Sequence, residues 1–265
     1  MMHLPDAALP RSADLALQEL QDAIDGVQLY AERVELARRR FEAENRQGNV
    51  TFDAIKGTLT SMCGGVRRCM YCEDSRADQV EHFRPKAFYP EFVFVWLNYL
   101  YACGYCNSVK RHHFRLLADT GDYIDLKRSR RDPVAEPAIG SVVLLDPRRE
   151  DPLQYLSLDL VDTFCFVPRH DVGTPEHARA EYTISCLELN DRDALTHVRA
   201  QAYGNYRARL REYVALRGTP EAAHLARALV RIHHPTVWSE MKSQSVHLPD
   251  LTALFTAAPE ALHWQ

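Results

Sequence analysis

The stretch CMYCEDSRADQVEHFRPK (69–86), followed by CGYCNSVK (103–110), decides how this chain is read. Cys-x-x-Cys lets two thiolates reach one ion from a single tight turn. Two such pairs complete a closed tetrahedral zinc site with no position left for substrate. Cys69, Cys72, Cys103 and Cys106 therefore predict a structural zinc, whose binding contributes roughly 10–16 kcal/mol of apparent free energy to folding. A thioredoxin-like dithiol would need one pair opening a helix in a βαβ pattern, and would leave the second pair unexplained. A zinc deaminase would need His-x-Glu and Pro-Cys-x-x-Cys, and neither occurs.

A closed site of this kind holds Val80-Glu81-His82-Phe83 close to Cys106-Asn107. That brings together a carboxylate, an imidazole and a carboxamide, the types that phosphodiester hydrolysis uses. An imidazole with an ordinary pKa of ~6.5 takes a proton from water at neutral pH. A hard divalent ion on one carboxylate oxygen and one amide oxygen keeps open positions for phosphate and offsets charge on the leaving oxygen.

Glu-His-Phe-x-Pro-Lys, then Trp-x-Asn, then Cys-x-x-Cys-Asn-x-x-Lys resembles the HNH endonuclease motif in its ββα-metal, zinc-bearing form. With Cys-x-Tyr-Cys-Glu before it, and LLDPRREDP (144–152) and YTISCLELNDRDAL (182–195) after it, the chain resembles the HNH subunit of Septu-type and retron-associated anti-phage defence systems. The likeness runs over about residues 67–215. It implies His82 as general base, Glu81 as metal carboxylate where most HNH enzymes have aspartate, Asn98 bracing the loop that faces the histidine, and Asn107 as a helix-borne ligand. It further implies magnesium or manganese as catalytic ion, double-stranded DNA as substrate, 5′ phosphate products and an ATPase partner. The final histidine of a strict H-N-H pattern has no sure match: His112 and His113 follow Asn107 by five and six residues, not the four that would stack them on one helical face.

Around this segment the chain is ordinary. Its 265 residues, 46% hydrophobic with 11 glycines, suit a globular protein of one large or two small domains. No apolar run approaches a membrane span and no basic-then-apolar leader opens the sequence, so a cytoplasmic location is expected. The remaining cysteines, Cys63, Cys165 and Cys186, read as small apolar core fillers. A net charge of −4 does not advertise a nucleic-acid binder, but a binding face needs only local excess. Lys86, Lys110 and Arg111 are assigned to phosphate. Lys127, Arg128, Arg130 and Arg131 read equally well as solvated loop charge or as a contact, and Trp96 with its aromatic neighbours reads as core.

Apolar positions at three-and-four spacing predict one long helix over 13–44, capped by Ser12 and offering a stripe that either docks a partner or packs at home. Thr51 is expected to cap a second helix ended by Gly64-Gly65. Short strands should occupy 80–101, a helix should start at Cys106-Asn107, and 118–141 should be a surface loop. SVVLLDP (141–147) is a strand candidate. Helices follow after Thr174, Asn190 or Asp191, and Thr219, the middle one with Arg199, Arg207, Arg209 and Arg211 on a solvated face.

The fold expected is α+β: a mainly helical chain with an embedded ββα-metal module on a four-cysteine zinc site. Residues 1–65 form the amino-terminal helical segment, 66–117 the nuclease module, and 118–265 a loop and carboxy-terminal helical region. The function expected is that of a DNA-cleaving HNH endonuclease in anti-phage defence. The competing readings are a non-catalytic zinc-ribbon-like binding module and a restriction-type nuclease.

Overall fold

The computed structural model describes residues 1, 3–4, 6–111, 113–129 and 131–264; His112 and Arg130 lie outside the described residues. Helices α1 (Arg11–Asp25), α2 (Tyr30–Glu44) and α3 (Val50–Met62) come first. Ala13, Leu17, Gln21 and Ile24 are buried along α1 at the expected spacing. The single helix expected over 13–44 is broken after Asp25. Gly26, which favours a helix end, follows, and the chain turns so that α2 buries Ala37 and Phe41 instead. Two caps also differ from expectation: α1 starts one residue before Ser12 with no side-chain cap, and Asn49 rather than Thr51 accepts the Phe52 N–H, at 3.0 Å. Gly64 and Gly65, both at positive φ, stop α3 as read.

Strand β1 (Gln79–His82) pairs antiparallel with β2 (Tyr99–Ala102), Glu81 opposite Leu100 and His82 opposite Tyr99. The intervening 83–98 segment contains two 3₁₀ turns, Pro90–Phe92 and Trp96–Asn98. It is pinned from several sides. The buried Gln21 amide donates to Pro90 O and accepts from Phe94 N, and Arg148 donates to Trp96 O and Tyr99 O. Helix α4 (Gly104–Lys110) follows β2 and packs back on β1. It starts two residues earlier than expected because Cys103 is the cap, its sulfur accepting from Cys106 N at 3.4 Å.

The 118–141 segment is not wholly loop. Strand β3 (Arg115–Leu117) pairs with both β4 (Tyr123–Asp125) and β5 (Ser141–Val142), elements too short to leave a period-2 signal. Of SVVLLDP only the first two residues are strand. Arg128, in the basic cluster of this segment, donates to Ala87 O at 2.6 Å, which fastens the segment to the 83–98 loop.

Strands β6 (Leu156–Leu158) and β7 (Phe166–Pro168) form a further pair. Then come α5 (Pro175–Cys186), α6 (Asp193–Ala215), α7 (Pro220–Leu229), α8 (Pro235–Ser243) and α9 (Pro249–Ala257). Thr174 and Thr219 cap α5 and α7 with Pro at the first turn, as read. Asn190 does not cap α6; its amide bonds both Phe166 N and Phe166 O. Arg199, expected on the solvated face of α6, is buried, donating to Phe164 O and Leu189 O over the Phe166 ring. Carbonyls left unpaired at two chain turns supply what its guanidinium needs in the interior. The chain is α+β and mainly helical, and among the described residues no helix is long and apolar enough to cross a membrane.

Candidate functional site

Cys69, Cys72, Cys103 and Cys106 converge, all buried, with their sulfur atoms within 4.8 Å of one another. Burial raises the Cys69 thiol while hydrogen bonds from its neighbours lower Cys72, so the quartet is not a set of independent core thiols. The donor set is that of a structural zinc site. Arg192, just before α6, places a guanidinium nitrogen 3.5 Å from Cys106 Sγ, where it offsets thiolate charge. Its guanidinium lies 4.5 Å from the Tyr105 ring centroid, and Tyr105 in turn donates to Glu188. The sequence carried no local sign of this bridge.

His82 ends β1 with its ring buried, 4.4 Å from the Phe41 centroid and 5.3 Å from Tyr99, both edge-on. Nε2 lies 3.0 Å from the Val93 carbonyl oxygen, which also accepts from Tyr99 Oη at 2.7 Å. A carbonyl only accepts, so Nε2 carries the proton and Nδ1 keeps its lone pair. Burial, with Lys86 charge nearby, pushes the His82 pKa down to about 3. At neutral pH the ring is therefore a free base in a fixed tautomer.

Glu81 precedes it and is also buried. Its Oε1 accepts from Lys110 Nζ at 2.5 Å, and the same ammonium donates to His82 O at 2.8 Å. Lys110, assigned to phosphate from the sequence, is fully buried and committed to these two acceptors. The helix turns its last residue inward onto β1, where a surface cation had been expected. Asn107, one turn earlier on α4, donates from Nδ2 to Gln79 Oε1 at 2.5 Å. Asn98 spans the loop: its Oδ1 accepts from Arg84 N at 2.7 Å, and its Nδ2 donates to Arg84 O and Phe92 O.

Gln79, Glu81, His82, Lys86, Asn107 and Arg111 line one cleft of about 540 Å³. Lys86 reaches over the Phe41 ring, its ammonium 5.2 Å from the centroid, and Arg111 sits past the end of α4 at φ 41, a strained value for a non-glycine residue. His113 lines a separate recess with Arg115 and Tyr182. A basic, open cleft with a neutral imidazole, a carboxylate and a carboxamide has the donors for a hard divalent ion and for an anionic substrate.

The chain is 32% identical over 90 residues to the Septu protein PtuB of Bacillus thuringiensis. That match spans 32% of this chain and 29% of that protein. No family model matches the sequence.

Sequence reasoning placed His82, Glu81 and Asn107 together, and they do share the cleft. It missed Gln79, which strand alternation puts on the same side of β1 as Glu81. It also missed Phe41, which sits forty-one residues before His82 and leaves no local signal of contact.

Proposed function

We propose that the protein is a metal-dependent HNH endonuclease of ββα-metal type that hydrolyses DNA phosphodiester bonds in anti-phage defence, working beside an ATPase partner. The observation that carries this reading is His82: neutral, with Nε2 fixed by Val93 O and Nδ1 left as acceptor, lining one cleft with Glu81 and Asn107. The antiparallel β1–β2 pair followed by α4 supports the same reading. Similarity to a Septu protein supports the defence role. The ATPase and the preference for double-stranded DNA rest on the family resemblance.

In this mechanism His82 Nδ1 takes the proton of the attacking water, and the Val93 carbonyl, accepting from Nε2, stabilises the positive charge that develops on the ring. Glu81 and Asn107 would hold the divalent cation, each offering an oxygen, since Lys110 occupies only one atom of the Glu81 carboxylate. Magnesium or manganese, when bound there, would supply charge stabilisation for the departing 3′ oxygen. Lys86 and Arg111 at the cleft wall hold flanking phosphates. Asn98 ties both ends of the loop whose Val93 orients the base.

The test is cleavage of supercoiled plasmid by the purified protein in magnesium and then manganese, with His82→Ala beside it. Loss of one general base costs about 10²–10⁴-fold in rate. The variant should lose turnover by that order while keeping zinc and DNA affinity. Equal cleavage by both proteins would overturn the assignment. DNA binding by both, with no cleavage even when a co-purified partner is present, would favour a binding module.

A further inference from the structure

Two cross-links join β1 to α4. Lys110 takes one oxygen of Glu81, and Gln79 takes the Nδ2 hydrogen of Asn107. Gln79 and Glu81 are two apart on the strand, and Asn107 and Lys110 three apart on the helix, so the pairs lie side by side. The Gln79–Asn107 link has no evident value for the core, because Gln79 is exposed and Asn107 only partly buried. Its consequence is chemical. An asparagine amide binds a cation through oxygen alone, and a half-turn about its last torsion would present N–H instead.

We infer that Gln79 is a positioning residue that fixes the Asn107 amide with Oδ1 available to the catalytic cation. This rests on the metal reading proposed above. With Gln79 Oε1 accepting at 2.5 Å, Asn107 Nδ2 points to β1 and its Oδ1 is left free of that bond. Gly104 supports the arrangement. Its backbone does not require glycine, but a Cβ there would lie 3.3 Å from Gln79 Nε2, tighter than ordinary contact. A small residue at the start of α4 therefore leaves room for the glutamine amide between strand and helix.

The experiment is a Mn²⁺ titration of the zinc-loaded protein, without DNA, followed by electron paramagnetic resonance, with zinc content and melting temperature recorded for every variant. Asn107→Ala reports on the metal reading. Gln79→Met removes the acceptor at nearly constant volume and should weaken Mn²⁺ binding by about tenfold, the low end for outer partners of metal ligands because this bond is exposed. In an Asn107→Asp background both terminal atoms are acceptors and no orientation is needed. There Gln79→Met should change affinity by less than about twofold, which a double-mutant cycle detects. Weakening by Asn107→Ala with no effect of Gln79→Met, or an equal effect in both backgrounds, overturns the inference and leaves the metal reading intact. Mn²⁺ binding indifferent to Asn107→Ala overturns both.

Discussion

A lone pair on one ring nitrogen is the property on which the proposed chemistry of His82 depends, and three neighbours hold the ring: Val93 fixes the tautomer, while Phe41 and Tyr99 pack edge-on against it. The pH consequence follows from the sign of the shift. Between the ordinary pKa of ~6.5 and the folded value of about 3, the unfolded chain binds a proton that the native ring refuses. Stability should therefore be level above pH ~6.5 with respect to this group and fall as pH drops toward 3. At pH 5 the loss amounts to about 2 kcal/mol, and urea denaturation of His82→Phe should lack that part of the decline. Lys110 gives a second residue-scale outcome. Lys110→Met leaves a buried carboxylate without its cation and should cost about 3–5 kcal/mol, while adding Glu81→Gln should recover much of it. Thermal melts of the single and double variants measure both effects. The convergence of Glu81, His82 and Asn107 was legible because the cysteine pairs fix where their segments meet. The buried role of Lys110 was not: spacing puts it near Asn107 but does not say which cation of α4 turns inward.

Among the elements, the hairpin and α4 hold the cleft, but the surrounding helices finish it. Gln21 from α1 closes hydrogen bonds at Pro90 and Phe94, and Phe41 from α2 covers the His82 ring. Phe41→Ala should cost about 3–5 kcal/mol, as large-to-small changes in cores do. Phe41 touches both His82 and Lys86, the proposed base and one proposed phosphate ligand, so turnover and DNA affinity should both fall, turnover the more because the base is lost from its place. Phe41→Leu should restore most of the stability and only part of the rate, measured by single-turnover cleavage and fluorescence anisotropy. The apolar periodicity that predicts one helix over 13–44 is real, yet the chain breaks at Gly26 because α1 and α2 bury different faces against the 83–98 loop. Periodicity reports which residues are buried, not whether one rod can bury them all. Three-residue strands such as β3 and β4 carry no periodic signal, so β4 falls inside the 118–141 segment that the sequence presents as loop.

Across the whole molecule, the four-cysteine centre joins the hairpin to the carboxy-terminal region through Arg192, Tyr105 and Glu188. Zinc removal by a chelator should unfold the segment between the cysteine pairs and the cleft together, because structural zinc binding is coupled to folding. Arg192→Met should speed zinc transfer to a chromogenic chelator by roughly tenfold while leaving the zinc stoichiometry of the fresh protein at one. A chelator-resistant circular dichroism spectrum would contradict a structural role for the metal. At this scale the sequence reads unevenly. Fold class and the capped helices α5 and α7 follow from local chemistry. The burial of Arg199 and the bridge from Arg192 to Cys106 join residues far apart in the chain, which no local pattern encodes.

Anomalous diffraction from crystals of the zinc-loaded protein soaked in manganese reads the metal sites without requiring turnover. The HNH assignment of this cleft requires one zinc peak among Cys69, Cys72, Cys103 and Cys106, and a separate manganese peak in the cleft contacted by Glu81 and Asn107 beside His82. Saturating manganese with no peak in that cleft, or one held by other residues, would contradict it.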